Sequence, residues 1–358
     1  MDRALRAAER QNLVPVITEA LITKGSVMAA TDQPREGTAL LRGALSLAEH
    51  HGLLSEQLRA INNTSAMLIA DDPTEALAVA RSGIDLSRRL GIREWLPLYG
   101  NATTSAFLSG DWDLGLTFYE ELEPEQILPL AKVETQVASA SILALRGEMD
   151  AAVARLAKAR AVTEQGPADT QVSANLSTAE GFIALAKGDL DTAFARGTAA
   201  GRITHIAVYW AIGCDLGARA ALWMRDVDRA TEALRALDEV PFRGAWIEAA
   251  RATVRAGLAA LEGRREDAVG GYQEAARRWR DQRWLPGLGF TQFEAALLLG
   301  PDEPLGQLAA QEAREVFTRL GATPLLERLE TAVSRPAGPR APSARRPQRA
   351  ATAERAGG

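Results

Sequence analysis

"LAKGDLDTAFARG", residues 185–197, decides how the rest of the chain is read. An Ala- and Leu-rich run stops at Lys187, Gly188-Asp189 breaks it, and a second run begins. Glycine supplies the left-handed backbone angle that ends a helix, and aspartate caps the helix that follows. Five residues past the glycine stands Ala193, and seven before it Gly181. Two helices that turn back on each other cross within about 8–10 Å, and only small side chains fit at the crossing. The stretch therefore predicts a tight helical hairpin.

The same signature recurs along the chain. Its turn residues are Asp32, Asp71, Gly110, Gly147, Gly188, Arg225, Gly263 and Gly300, spaced by 39, 39, 37, 41, 37, 38 and 37 residues. Five residues past each turn stand Gly37, Ala76, Gly115, Ala152, Ala193, Ala230, Ala268 and, after a turn one residue longer, Gly306. Seven residues before each turn stand Gly25, Thr64, Thr103, Ala140, Gly181, Ala218, Ala256 and Phe293. A period of this size is the mark of a helical array. The expected fold is all-α: a right-handed α-solenoid of about eight helix hairpins over residues 14–333.

The two ends read differently. Residues 1–13 fit the second half of a helix from a preceding repeat, or a capping helix; the repeat spacing favours the former and a longer parent protein. At the other end Gly321 stops a helix, and "TPLLERLETAV" supplies one more helix to cover the last hairpin. Residues 334–358 are rich in Pro, Ala, Arg and Gly and are expected to be a disordered basic tail.

Composition narrows the function. The 358 residues carry a net charge of −5; the tail holds six arginines and one glutamate, +5, which leaves −10 for residues 1–333. An acidic body argues against direct contact with nucleic acid. The most apolar span, 203–224, is broken by His205, Asp215 and Arg219, so no membrane span is expected, and the protein is placed in the cytoplasm. Cys214 is the only cysteine, and none of the four lysines follows a glycine, so neither a disulfide framework nor a Walker A loop is present. His50 and His51 are adjacent, hence splayed on a helix. The acidic residues recur in the turns, as capping and solvated groups do. No catalytic, metal or cofactor site is expected, and the chain is read as non-enzymatic. A single buried, strongly perturbed carboxylate or histidine on the concave face would reopen that question.

The spacing and small-residue positions resemble the tetratricopeptide (TPR) pattern, best in 188–200 and 146–159. Asn62 and Asn101 fall where such repeats carry a helix-A asparagine. The large consensus aromatics are mostly missing, and the period exceeds that of the family. "AAQEAREVFTRLGATPLLERLE" (309–330), "YQEAARRWRDQRWLPGLGFTQFEAALLLG" (272–300) and the stretch 78–122 further resemble the C-terminal repeats of large bacterial signalling proteins built on a STAND-type ATPase. One branch carries an adenylate/guanylate cyclase domain; the other, LuxR-type regulators, has a helix-turn-helix after the repeats. With none after Leu329, the resemblance favours the cyclase branch. It implies a regulatory module that binds a protein or peptide in its concave groove and communicates with an upstream ATPase/cyclase module. The alternatives are a LuxR-type repeat region without its DNA-binding domain and a stand-alone TPR adaptor. The candidate groove residues are Asn62, Trp95, Tyr99, Asn101, Tyr209, Trp210 and Trp246; the aromatics among them either anchor a partner or replace missing consensus core residues.

Overall fold

The computed structural model describes residues 2–31, 33–92, 97–121, 129–164, 169–204, 206–241 and 243–334. Asp32, Trp95, His205 and the tail from 335 onward lie outside the described residues. The described chain is all helical. Helix α1 (Asp2–Arg10) is followed by eight hairpins: α2 (Val14–Ala30) with α3 (Pro34–His50), α4 (Leu54–Leu68) with α5 (Pro73–Leu90), α6 (Pro97–Ser109) with α7 (Trp112–Glu120), and α8 (Pro129–Arg146) with α9 (Met149–Thr163). Next come α10 (Thr170–Lys187) with α11 (Leu190–Ile203), α12 (Ala207–Met224) with α13 (Val227–Glu239), α14 (Ala245–Leu261) with α15 (Arg265–Asp281), and α16 (Leu285–Leu299) with α17 (Pro304–Leu320). Helix α18 (Thr323–Ser334) follows.

The turn chemistry accounts for the hairpins. Gly110, Gly147, Gly188, Gly263 and Gly300 all have positive φ, and Arg225 takes the same left-handed region at φ 59°. Asp72, Asp189 and Asp226 then accept backbone N–H groups of the helices they start. All sixteen residues five past and seven before the turns are buried. At the first crossing, a Cβ on Gly37 would lie 2.5 Å from the Gly25 carbonyl oxygen. At α11–α12 the approach is equally close: a Cβ on Gly197 would lie 2.6 Å from the Gly217 nitrogen.

The first helices of successive hairpins also touch one another, from α2–α4 through to α14–α16, so they form a continuous inner layer. The second helices stand outside it. Helices α12, α14 and α16 bury most of their side chains, whereas α13 and α15 bury one stripe each. Buried Arg251 of α14 satisfies the open end of α13 by donating to the carbonyls of Leu237 and Val240.

The chain then closes on itself. The turns of the second to sixth hairpins form a row, and the later helices lie across it. Asp71 accepts the N–H groups of Ala245 and Trp246, and Thr74 accepts the Trp284 indole N–H at 3.0 Å. Gly110 lies under Leu285 and Pro286, Gly147 under Pro324, and Gly188 under Arg328. Arg225 donates to the Leu297 carbonyl at 2.6 Å. Helix α18 thus covers more than α17: it also packs on α8 and α10.

Candidate functional site

The inner layer carries polar side chains where the hairpin crossings carry alanine and glycine. On α4, Asn63 donates to Ser26 of α2 at 2.8 Å, and Asn62 donates to Asn63 at 3.2 Å. Asn101 of α6 reaches back to α4, with its amide nitrogen 3.2 Å from the Asn62 side-chain oxygen and 3.0 Å from Ser65 Oγ. Beside it, Gly100 lets α8 come close, since a Cβ there would lie 2.6 Å from Glu134 Oε2. Glu134 Oε1 accepts from Gln171 of α10 and, at 3.0 Å, from the Tyr209 hydroxyl of α12. Hydrogen bonds thus join α2, α4 and α6, and again α8, α10 and α12, and the close approach of Gly100 to Glu134 sets the two groups side by side in one polar run.

Glu134 is 7% exposed. Burial pushes its carboxyl up to about 7, although the Tyr209 and Gln171 hydrogen bonds pull the other way; the charge of Asp169 adds to the rise. No cation pairs with it among the described residues. The Tyr209 hydroxyl is raised well above 10 by burial and then by Glu134. At the edge of this cluster the amide of Asn175 adjoins the Tyr209 hydroxyl, and among the described residues its buried nitrogen makes no hydrogen bond of good geometry.

A second buried cluster joins α12 to α16. Arg219 donates to Asp215 at 2.8 Å and to Glu294 at 3.0 Å, with its guanidinium over the Phe290 ring at 4.9 Å. Trp223 donates to the same Glu294 oxygen. Burial pushes Glu294 up to about 7 against the pull of Arg219. Arg219 is itself raised, because its two carboxylates outweigh the cost of burying it. Every member is a core group, and the arrangement holds two helices together.

Between the outer helices α11 and α13 lies a slot of about 400 Å³. Its walls include Trp210, Cys214, Gly201 and Ala236, and its rim carries the Arg202–Glu232 ion pair at 2.6 Å. The glycine-mediated approach of α11 to α12 draws α11 inward. Burial pushes the Cys214 thiol up to about 12, so it is an inert wall group.

Of the seven candidate residues the structure joins two, Asn62 and Asn101, by a hydrogen bond; Tyr209 bonds to Glu134 instead, and Trp210 lines the separate slot. Tyr99 packs edge-on to Phe118 at 6.2 Å beneath Arg88. Trp246 is 4% exposed and lies edge-on to Trp279 at 5.9 Å. Trp112, Trp279 and Trp284 are buried too, so the four tryptophans fill the core, while Tyr99 is half-buried at its edge. Trp95 is outside the described residues. Sequence reasoning missed Glu134, Gln171 and Glu294. For Glu294 a signal existed: it is the only charge in the otherwise apolar α16, where a lone carboxylate must be buried and paired. Among the described residues no group of three or more His, Cys, Asp or Glu is placed to hold a metal ion, and no helix is long and apolar enough to cross a membrane. Compared with known protein families and with curated proteins, the chain matches none.

Proposed function

We propose that the chain is a TPR-like, right-handed α-solenoid that acts as a non-enzymatic interaction module: the regulatory arm of a bacterial cyclase/ATPase-type signalling system. The observation that carries this reading is the polar run on the inner layer. Half-buried Asn62, Asn63 and Gln171 stand along its edge, and the Glu134 carboxyl lies beneath with no cation paired to it among the described residues. A protein or peptide segment bound along this layer meets amide groups that recognise backbone, and one carboxyl that takes a donor. The closure of the later helices over the row of turns offers a way for a bound segment to alter the far end.

A photo-crosslinking residue at Asn62 or Gln171, expressed in the source cells, tests this. A discrete protein adduct at either position, lost with Glu134→Gln and absent at exposed Val153, supports the reading. Adducts at neither inner position overturn it. The size of the native polypeptide on an immunoblot separates a stand-alone adaptor from the arm of a larger enzyme.

A second reading, an enzyme using Glu134 as general acid–base, draws on the rise of Glu134 to about 7. Glu294 rises to the same value while locked under Arg219, so burial in this fold is sufficient cause. The interaction reading therefore stands first.

A further inference from the structure

The slot between α11 and α13 shares no residue with the polar run of the inner layer. Glycines on both α11 and α12 bring those two helices into backbone contact. A Cβ on Gly213 would lie 2.8 Å from the Gly197 carbonyl oxygen, and one on Gly201 2.7 Å from Cys214 Sγ. Helix α13 also packs on α12, so the gap between the two outer helices is floored by α12. Half-buried Trp210 and buried Cys214 form that floor, and Ala233 and Ala236 of α13 form the facing wall. The volume of about 400 Å³ falls within the roughly 300–1,000 Å³ of small-molecule sites.

The rim carries both signs of charge in equal number. Arg202 of α11 pairs with Glu232 of α13 at 2.6 Å. One and two turns further along α13, Arg235 and Glu239 also line the slot. Neighbouring Arg229 and Asp238 are committed elsewhere, to Asp191 and Arg255. Among the described residues Arg235 and Glu239 have no ion-pair partner. They stand four residues apart in the order cation then anion, the weaker orientation for pairing along a helix. Burial is the main cause of the raised Cys214 thiol, but Glu239 adds to it and Arg202 opposes it, so charges of both signs reach the floor.

We infer that the slot is a binding site for a small apolar zwitterion, of the class of an α-amino acid with an aromatic side chain. Its ring lies on the Trp210 indole beside Cys214. Its carboxylate is taken by Arg202 and Arg235, and its ammonium by Glu239 and Glu232. A ligand with one charge covers an opposite charge of the rim without pairing it, and an uncharged ligand covers both. Only a zwitterion answers the two signs together. The Arg202–Glu232 pair, 71% and 48% exposed, is weak enough to yield its groups to the ligand. This inference stands apart from the function proposed above.

Calorimetric titration of the full chain with L-phenylalanine tests it. Saturable one-to-one binding is expected, with a dissociation constant on the order of 1 mM or tighter. Phenylalaninamide lacks the carboxylate and N-acetyl-phenylalanine the ammonium, and each is expected to bind at least about ten-fold more weakly. Ala236→Trp, at a half-buried wall position, is expected to fill the slot and abolish binding with unchanged helicity. Arg235→Ala and Glu239→Ala, both at exposed positions, keep the test open should that chain not fold. Each is expected to weaken L-phenylalanine about ten-fold, and Arg235→Ala to leave phenylalaninamide unaffected. No saturation by about 10 mM, or binding indifferent to all three substitutions, overturns the site. Equal binding by either singly charged analogue overturns the zwitterion.

Discussion

Replacing Glu134 by glutamine isolates the cost of burying one carboxyl in the inner layer. In the folded chain its pKa is about 7, against an ordinary 4.5. The folded state thus keeps a proton that the unfolded chain releases between about pH 4.5 and 7. The stability tied to that proton is complete below the lower value and is lost as pH rises through the upper one. A gap of that size corresponds to about 3 kcal/mol. Glutamine cannot ionise, and its oxygen still accepts from Tyr209 and Gln171. Glu294, raised to the same value, contributes a comparable loss. Glu134→Gln should therefore remove about half of the decline in stability that these two groups produce from pH 5 to 8. Urea unfolding followed by circular dichroism at pH 5, 6, 7 and 8 measures it. A variant whose stability falls as steeply as that of the wild type would show that Glu134 does not hold a proton in the fold, and the electrostatic account of the cluster would be wrong.

Three further outcomes are expected. Gly37→Ala places a Cβ 2.3 Å from the Ala29 nitrogen, so forcing the first hairpin apart should cost at least about 2 kcal/mol; Gly43→Ala, with nothing within 4 Å, should stabilise by about 0.5–1 kcal/mol, and urea melts compare the two. Arg219→Met leaves Asp215 and Glu294 buried without their cation and should destabilise by about 3–5 kcal/mol, measured in the same way. Cys214 in the native chain at pH 8 should react with a disulfide reagent on the order of 10³-fold more slowly than in the unfolded chain, because so little thiolate forms; comparable rates would contradict its burial.

The hairpins were legible because their causes are local. A glycine or capping aspartate at each turn and a small residue at each crossing act within about a dozen residues, and Val14–Ala30 and the stop at Gly321 fall where the pattern puts them. The polar run was half legible. Asn62 and Asn101 stand one period apart and so share a place in the layer, but Glu134 and Tyr209 are 75 residues apart and meet beside Gln171 of α10. Which side chains of three successive inner helices meet depends on how the hairpins pack together, and no single residue type encodes it. The same limit hid the Trp284–Thr74 contact, which spans 210 residues. The aromatics carried an ambiguity that composition does not resolve, because a ring that anchors a partner and a ring that fills a core look alike until its neighbours are known.

The closure of the later helices over the row of turns constrains how such a gene is free to change length. An open stack gains or loses a hairpin anywhere with only local repair. Here an insertion between Asp71 and Trp284 moves every later helix one place along the row, so that Pro324 no longer meets Gly147 and Arg328 no longer meets Gly188. Duplication is therefore expected to be tolerated beside the first hairpin and rejected within the closed part, where the number of hairpins is set by circumference.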